Sequence, residues 1–139
     1  MGGARRVALS VLRAMARLHP ENQYWVASNT RQPVLDGIAV EQIVRPCPPW
    51  LPQVLWDQLI FPAWSIPHAA QALKPDVALF TNNYLSPGMR IPTAVFIHDM
   101  TPFVLPDSFK AAHSAYQRTY FRYAARAASR VLTISESSR

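Results

Sequence analysis

This chain has one cysteine, four glycines and few charges for its length, and each shortage removes a class of protein. Cys47 alone forms no intrachain disulfide and supports no multi-cysteine zinc or iron–sulfur site, so a reducing cytoplasm is the compartment expected. Four glycines in 139 residues exclude a collagen-like chain, and 50% apolar composition excludes a disordered one. Long apolar runs are also missing: VLWDQLIFPAWSIP is interrupted by charge and proline well short of the roughly 20 residues that cross a bilayer. Arg13 and Arg17 break the apolar continuity that a signal peptide needs, so the amino-terminal segment reads as a mature helix. There is no Gly-x-Ser-x-Gly elbow for acyl transfer, and His19, His68 and His113 show no spacing that would complete a His-Asp metal hydrolase site. No repeat or low-complexity tract is present.

What remains is a basic, core-forming sequence. A formal charge of +6 favours anionic partners: phosphorylated substrates, nucleic acid or an acidic membrane surface. The basic residues fall on separate helices with no interleaved aromatic sheet, so no nucleic acid is expected. Between Arg5 and Leu18 the apolar residues Val7, Ala8, Val11, Leu12, Met15 and Leu18 recur at helical spacing. Tyr24 to Ala27 and Ile38 to Val44 read as short strands around a polar turn at Asp36-Gly37, and RPCPPWLP, residues 45 to 52, as an extended crossing loop. Helical character over Val54 to Leu73 is expected to bend or break near Pro62 and Pro67. Strands follow at Val77 to Thr81, at Val95 to Ile97 and at Val131 to Ile134. Between the last two, a helix over Ser108 to Ser129 is predicted to set His113, Tyr116, Tyr120, Tyr123, Ala124 and Ala127 along one side and Arg118, Arg122, Arg126 and Arg130 along the other.

Strands alternating with helices predict an α/β fold with a parallel sheet that binds ligands beyond the carboxyl ends of its strands. The run VFIHDMTP delivers His98 and Asp99 to that edge, and Pro102 turns the chain away. Ser135, after the last strand, sits at the same edge in a position suited to capping a helix. Asn82 and Asn83 follow the strand that ends at Thr81, where asparagine serves equally as a turn residue and as a donor to ligand hydroxyls. Trp50, Trp56 and Trp64 read as core or domain-packing residues, and Cys47 as inert.

Five segments in order carry a resemblance. GGARRVALSVLRAMARLHPENQYWV is similar to a glycine loop with its first helix. Trp56-Asp57-Gln58-Leu59 with Pro62, Lys74-Pro75-Asp76-Val77, His98-Asp99-Met100-Thr101-Pro102 and ISESSR follow it. Together they resemble the amino-terminal domain of family-four glycosyltransferases of the GT-B fold, particularly bacterial mannosyltransferase-like enzymes of polysaccharide assembly. The resemblance implies a Rossmann-like, acceptor-side domain spanning residues 1–139. It implies a retaining hexosyltransferase that moves a sugar from a nucleoside-diphosphate sugar to a glycan or lipid-linked acceptor, with no cofactor and no metal. A first strand ahead of Gly2 and a carboxyl-terminal donor-binding domain with paired glutamates are expected outside this sequence.

On that basis His98 is the expected catalytic residue, and Gly2, Gly3, Asn82, Asn83, Asp99 and Ser135 the expected substrate-binding residues. Gly2 and Gly3, without Cβ atoms, would let backbone amides approach a diphosphate at the positive end of the first helix. The arginine row suggests peripheral contact with an anionic membrane at its inner, cytoplasmic face. The alternative from another class is a non-catalytic split domain that binds an acceptor, a membrane surface or a partner domain.

Overall fold

The computed structural model describes residues 3–98, 100–104 and 111–134, with the side chains of 4, 102 and 111–114 excepted. The chain forms two compact units, one ending at Leu73 and the other beginning at Lys74.

In the first unit, helix α1 (Gly3–Leu18) follows the apolar periodicity, and Arg17 in its last turn complements the negative end of the helix dipole. The Tyr24 hydroxyl donates to the Met15 carbonyl at 3.0 Å, occupying one of the acceptors that a helix end leaves open. Strands β1 (Trp25–Ser28) and β2 (Glu41–Val44) pair in parallel, with Trp25 opposite Glu41 and Ser28 opposite Val44. A parallel pair needs a crossover, and here it is a short one. It contains a 3₁₀ turn, Pro33–Leu35, that buries Leu35, and Gly37 at φ +86°, a left-handed conformation that suits glycine. The second strand is therefore shorter than the Ile38–Val44 expected, because residues 36–40 are used to return the chain.

The segment after the proline-rich loop is helical without interruption. It begins as α2 (Gln53–Leu55), widens into a π-helical segment (Trp56–Ser65) and ends as α3 (Ile66–Leu73). Of the bend or break expected near Pro62 and Pro67, no break occurs at either proline. Proline lacks an amide hydrogen and its ring collides with the carbonyl one α-turn back; an i→i+5 ladder changes that spacing and keeps the run intact. Trp56, Pro62 and Ser65 are its buried residues, and the Trp56 and Phe61 rings meet at 6.1 Å.

The second unit is a three-stranded parallel sheet in the order β3 (Ala78–Phe80), β4 (Thr93–Ile97), β5 (Arg130–Thr133). Val95, Phe96 and Ile97 are all buried, so the central strand is covered on both faces, the usual condition of a parallel sheet. Leu85, Val95 and Ala124 form the core, with Phe80 and Ala128 packed against it. The crossover from β4 to β5 runs through α4 (Thr101–Val104) and α5 (Ala111–Ala127). On α5 the buried positions are Phe121 and Ala124, with Tyr120 half-buried, whereas Tyr116 and Tyr123 are exposed. The inward stripe is thus rotated from the one expected, because Phe121 supplies more apolar surface than a tyrosine and meets Phe103 of α4 at 6.1 Å. Arg122 and Arg126 are exposed as expected, and Arg118 is half-buried. Both units are parallel sheets with helices against them, the α/β class anticipated from the alternation of strand and helix.

Candidate functional site

The site is built where β3 and β4 end. Their register sets Phe80 opposite Val95, so Thr81, Asn82 and Asn83 continue alongside Phe96, Ile97 and His98. Asn83 extends the ladder past the strand. Its backbone amide donates to the Phe96 carbonyl at 2.9 Å, and its side-chain Oδ1 accepts from the His98 amide at 2.6 Å. To do both it takes φ +37°, a left-handed conformation that asparagine tolerates better than most residues. Asn83 thereby holds the strand end that carries His98. Its Oδ1 is committed to that task, and Nδ2 is the group it can offer a ligand.

His98 is held on three sides. Its amide is bonded to Asn83, and its ring stacks on Phe96 with centroids 5.9 Å apart and planes 10° from parallel. Its Nε2 lies 2.7 Å from the Thr81 carbonyl oxygen. A carbonyl only accepts, so Nε2 carries the hydrogen and a neutral ring has its lone pair on Nδ1. Nδ1 itself is buried within the protein. Sequence reasoning anticipated the histidine at this edge. It did not anticipate the Thr81 carbonyl, because a main-chain acceptor has no side-chain signature.

Asn82, beside this frame, is exposed. Tyr84, two residues on, was not anticipated. Its ring stacks on Tyr120 of α5 at 5.0 Å, and Tyr120 in turn meets Tyr116 at 4.7 Å. Burial, followed by the adjacent Tyr120 hydroxyl, pushes the Tyr84 phenol well above its ordinary value, so it remains a neutral hydroxyl throughout the physiological range. The available signal was Asn-Asn-Tyr directly after a strand, with tyrosines at four-residue spacing on the helix that follows.

Gly3 opens α1, in the other unit, and a β-carbon built on it would meet nothing within 4 Å, so packing within the chain does not demand glycine there. Gly2, Asp99 and Ser135 lie outside the described residues. The structure therefore brings His98, Asn82 and Asn83 together at one sheet edge. Among the described residues no group of three histidine, cysteine, aspartate or glutamate side chains is placed to hold a metal ion, and no helix is long and apolar enough to cross a membrane. Cys47 is half-buried with Sγ 3.4 Å from the Leu51 carbonyl. Its thiol pKa is raised by desolvation and by the Asp57 charge, which keeps it protonated and unreactive at neutral pH. Of the three tryptophans expected in a core or against a neighbouring domain, Trp56 is in the core, and Trp50 and Trp64 are exposed.

Parallel sheets flanked by helices are consistent with a Rossmann-like half of a GT-B fold. The model of the family described as Glycosyltransferase Family 4 matches residues 1–139, and the chain belongs to that family. Comparison with curated proteins and with solved structures returned no match. Nucleoside-diphosphate sugars are the donors typical of the family.

Proposed function

We propose that this chain is the acceptor-side domain of a retaining glycosyltransferase. In this reading a hexose, with mannose the first candidate, moves from a nucleoside-diphosphate sugar to a glycan or lipid-linked acceptor on the cytoplasmic face of the membrane. A second domain, carrying the paired glutamates, would hold the nucleotide. The observation that carries the reading is the histidine of the His-Asp-x-Thr-Pro motif, oriented at the carboxyl edge of β4 with one tautomer selected.

Glycosyl transfer develops positive charge at the anomeric carbon and negative charge on the departing diphosphate, so the work of the site is to place compensating groups before the bond breaks. His98, fixed at this edge by Asn83 and Thr81, contacts the donor sugar or the acceptor, and its held orientation positions that group. Asn82 and the Asn83 amide donate to hydroxyls of the acceptor. Mannose as the donor sugar rests on the sequence resemblance alone.

The test is turnover of a panel of nucleoside-diphosphate hexoses by the enzyme that carries this domain, with His98→Ala and His98→Gln compared with wild type. We expect His98→Ala to lower kcat by roughly 10²-fold or more, the scale set by losing one preorganised polar contact in a transition state. Circular dichroism and the thermal midpoint should stay within a few degrees of wild type. Wild-type turnover in a folded His98→Ala variant would remove His98 from the mechanism. Absence of transfer from every nucleoside-diphosphate hexose would remove the reading altogether.

A further inference from the structure

In the first unit a cleft opens between α1 and the turn that returns the chain into β2. It is lined by Arg13, Ala16 and Arg17 of the helix and by Gly37, Ile38 and Ala39 of the turn, and it measures about 370 Å³. Both walls stand at the amino edge of the β1–β2 pair. The Tyr24 hydroxyl ties Met15, near the end of α1, to the residue before β1, and the Glu41 amide that opens β2 donates to the Tyr24 carbonyl at 2.9 Å. Ligands of parallel α/β sheets bind beyond the carboxyl edge, so this cleft lies at the opposite end of its own sheet from that position.

Its charge is of one sign. Arg13 and Arg17 are one turn apart on the same face of α1, and both are exposed. Like charges at that spacing repel and weaken a helix unless a counter-charge sits between them. The unit supplies none. Its carboxylates are engaged elsewhere: Glu21 with His19, Asp36 with Arg31 and Gln42, Glu41 with the Trp25 indole, and Asp57 with Asn29 and Gln53. Main-chain donors stand on the other wall. The amides of Asp36, Ile38 and Val40 donate to the carbonyls of Pro33, Leu35 and Ile38, whereas those of Gly37 and Ala39 find no acceptor among the described residues. A β-carbon built on Gly37 would meet nothing within 4 Å, so the space beside this main chain is open.

We propose that this cleft binds the phosphate group of a small soluble phosphomonoester, held by the Arg13 and Arg17 guanidiniums and by the Gly37 and Ala39 amides. Guanidinium groups and successive main-chain N–H groups are the donor types that recognise phosphate oxygens. At about 370 Å³ the cleft exceeds a bare phosphate and falls in the range of small-molecule sites, and Ala16, Ile38 and Ala39 offer apolar surface to a short organic body. The site belongs wholly to the first unit, whereas His98 belongs to the second, and the proposal does not depend on sugar transfer.

The experiment is titration of the protein with inorganic phosphate and with glycerol phosphate, followed by calorimetry and by nitrogen–proton correlation NMR. Wild type is compared with the double variant Arg13→Gln/Arg17→Gln and with Arg122→Gln/Arg126→Gln, which removes the same formal charge from α5. All four positions are exposed, so the fold should persist, as circular dichroism would verify. We expect wild type to bind glycerol phosphate at least as tightly as inorganic phosphate, with the Gly37 and Ala39 amide resonances moving on binding. The α1 variant should lose roughly tenfold or more in affinity, the scale of one charge-assisted hydrogen bond, and the α5 variant should bind as wild type does. Absence of saturable binding would overturn the proposal, as would equal losses in the two double variants or shifts confined to residues outside the cleft. Binding of inorganic phosphate with exclusion of glycerol phosphate would overturn the monoester assignment. Attachment to phosphatidylglycerol vesicles that the α1 variant abolishes, without binding of either soluble phosphate, would overturn it in favour of a lipid headgroup.

Discussion

Asn83 shows how much one residue can organise. Its backbone and side chain together continue the β3–β4 ladder and fix the segment bearing His98, in a conformation few residues accept. Two substitutions separate the contributions. Asn83→Gly keeps the left-handed backbone but loses the side-chain acceptor, and should cost about 1 kcal/mol, the net worth of one such hydrogen bond. Asn83→Ala loses the bond and also strains the backbone, adding roughly 1–2 kcal/mol. Urea unfolding of both would check this; equal stability of the two variants would mean that the left-handed backbone contributes nothing.

The tyrosine stack is a second residue-scale test. The Tyr116 phenol is pushed up to about 12 from its ordinary 10, by burial first and then by the Tyr120 hydroxyl, and the Tyr84 phenol is pushed in the same direction. A phenol whose pKa is higher folded than unfolded binds its proton more tightly in the fold. The stability it contributes is therefore complete below the unfolded value of 10 and is lost as pH rises through 12. Ultraviolet titration should show part of the five tyrosines ionising late, with the unfolding midpoint flat below pH 10 and falling above it. Simultaneous ionisation of all five at the ordinary value would show that the stack does not form in solution.

Among elements, β4 and the π segment carry different lessons. The apolar run at Val95 to Ile97 announces a buried strand, and its burial on both faces follows from parallel pairing with β3 and β5. Leu85, nearly sealed against Val95 and Ala124, sits where a cavity cannot collapse easily. Leu85→Ala should accordingly destabilise the second unit by about 2–5 kcal/mol, read from chemical denaturation. A loss below 1 kcal/mol would show that this core relaxes around the gap. The π segment, in contrast, defeats a rule drawn from α-helix geometry. Pro62 forbids the i→i−4 bond but not a helix whose ladder has already widened. That widening also sets the outward Leu59 and Trp64 five apart, an interval that a 3.6-residue period does not find.

At the scale of the whole molecule, two units divide the work differently. The second holds the better-sealed core and the His98 edge; the first carries α1, a two-stranded sheet and the helical run with its π segment.

The sequence by itself determined the α/β class, because strand and helix periodicities are local and alternate along the chain. It also determined the family, through five motifs in order, and the delivery of His98 to a strand end, since the apolar, strand-favouring run stops at Ile97. Only the tertiary structure decided the rest. Which nitrogen of His98 carries the hydrogen depends on the Thr81 carbonyl, 17 positions away in sequence but one strand away in space. Whether Asn83 serves the frame depends on β3 lying beside β4, and whether Trp50 and Trp64 are core or surface depends on which side of the helical run is covered. Local rules specify what each segment becomes; contacts between segments distant in the chain decide what each side chain is left to do.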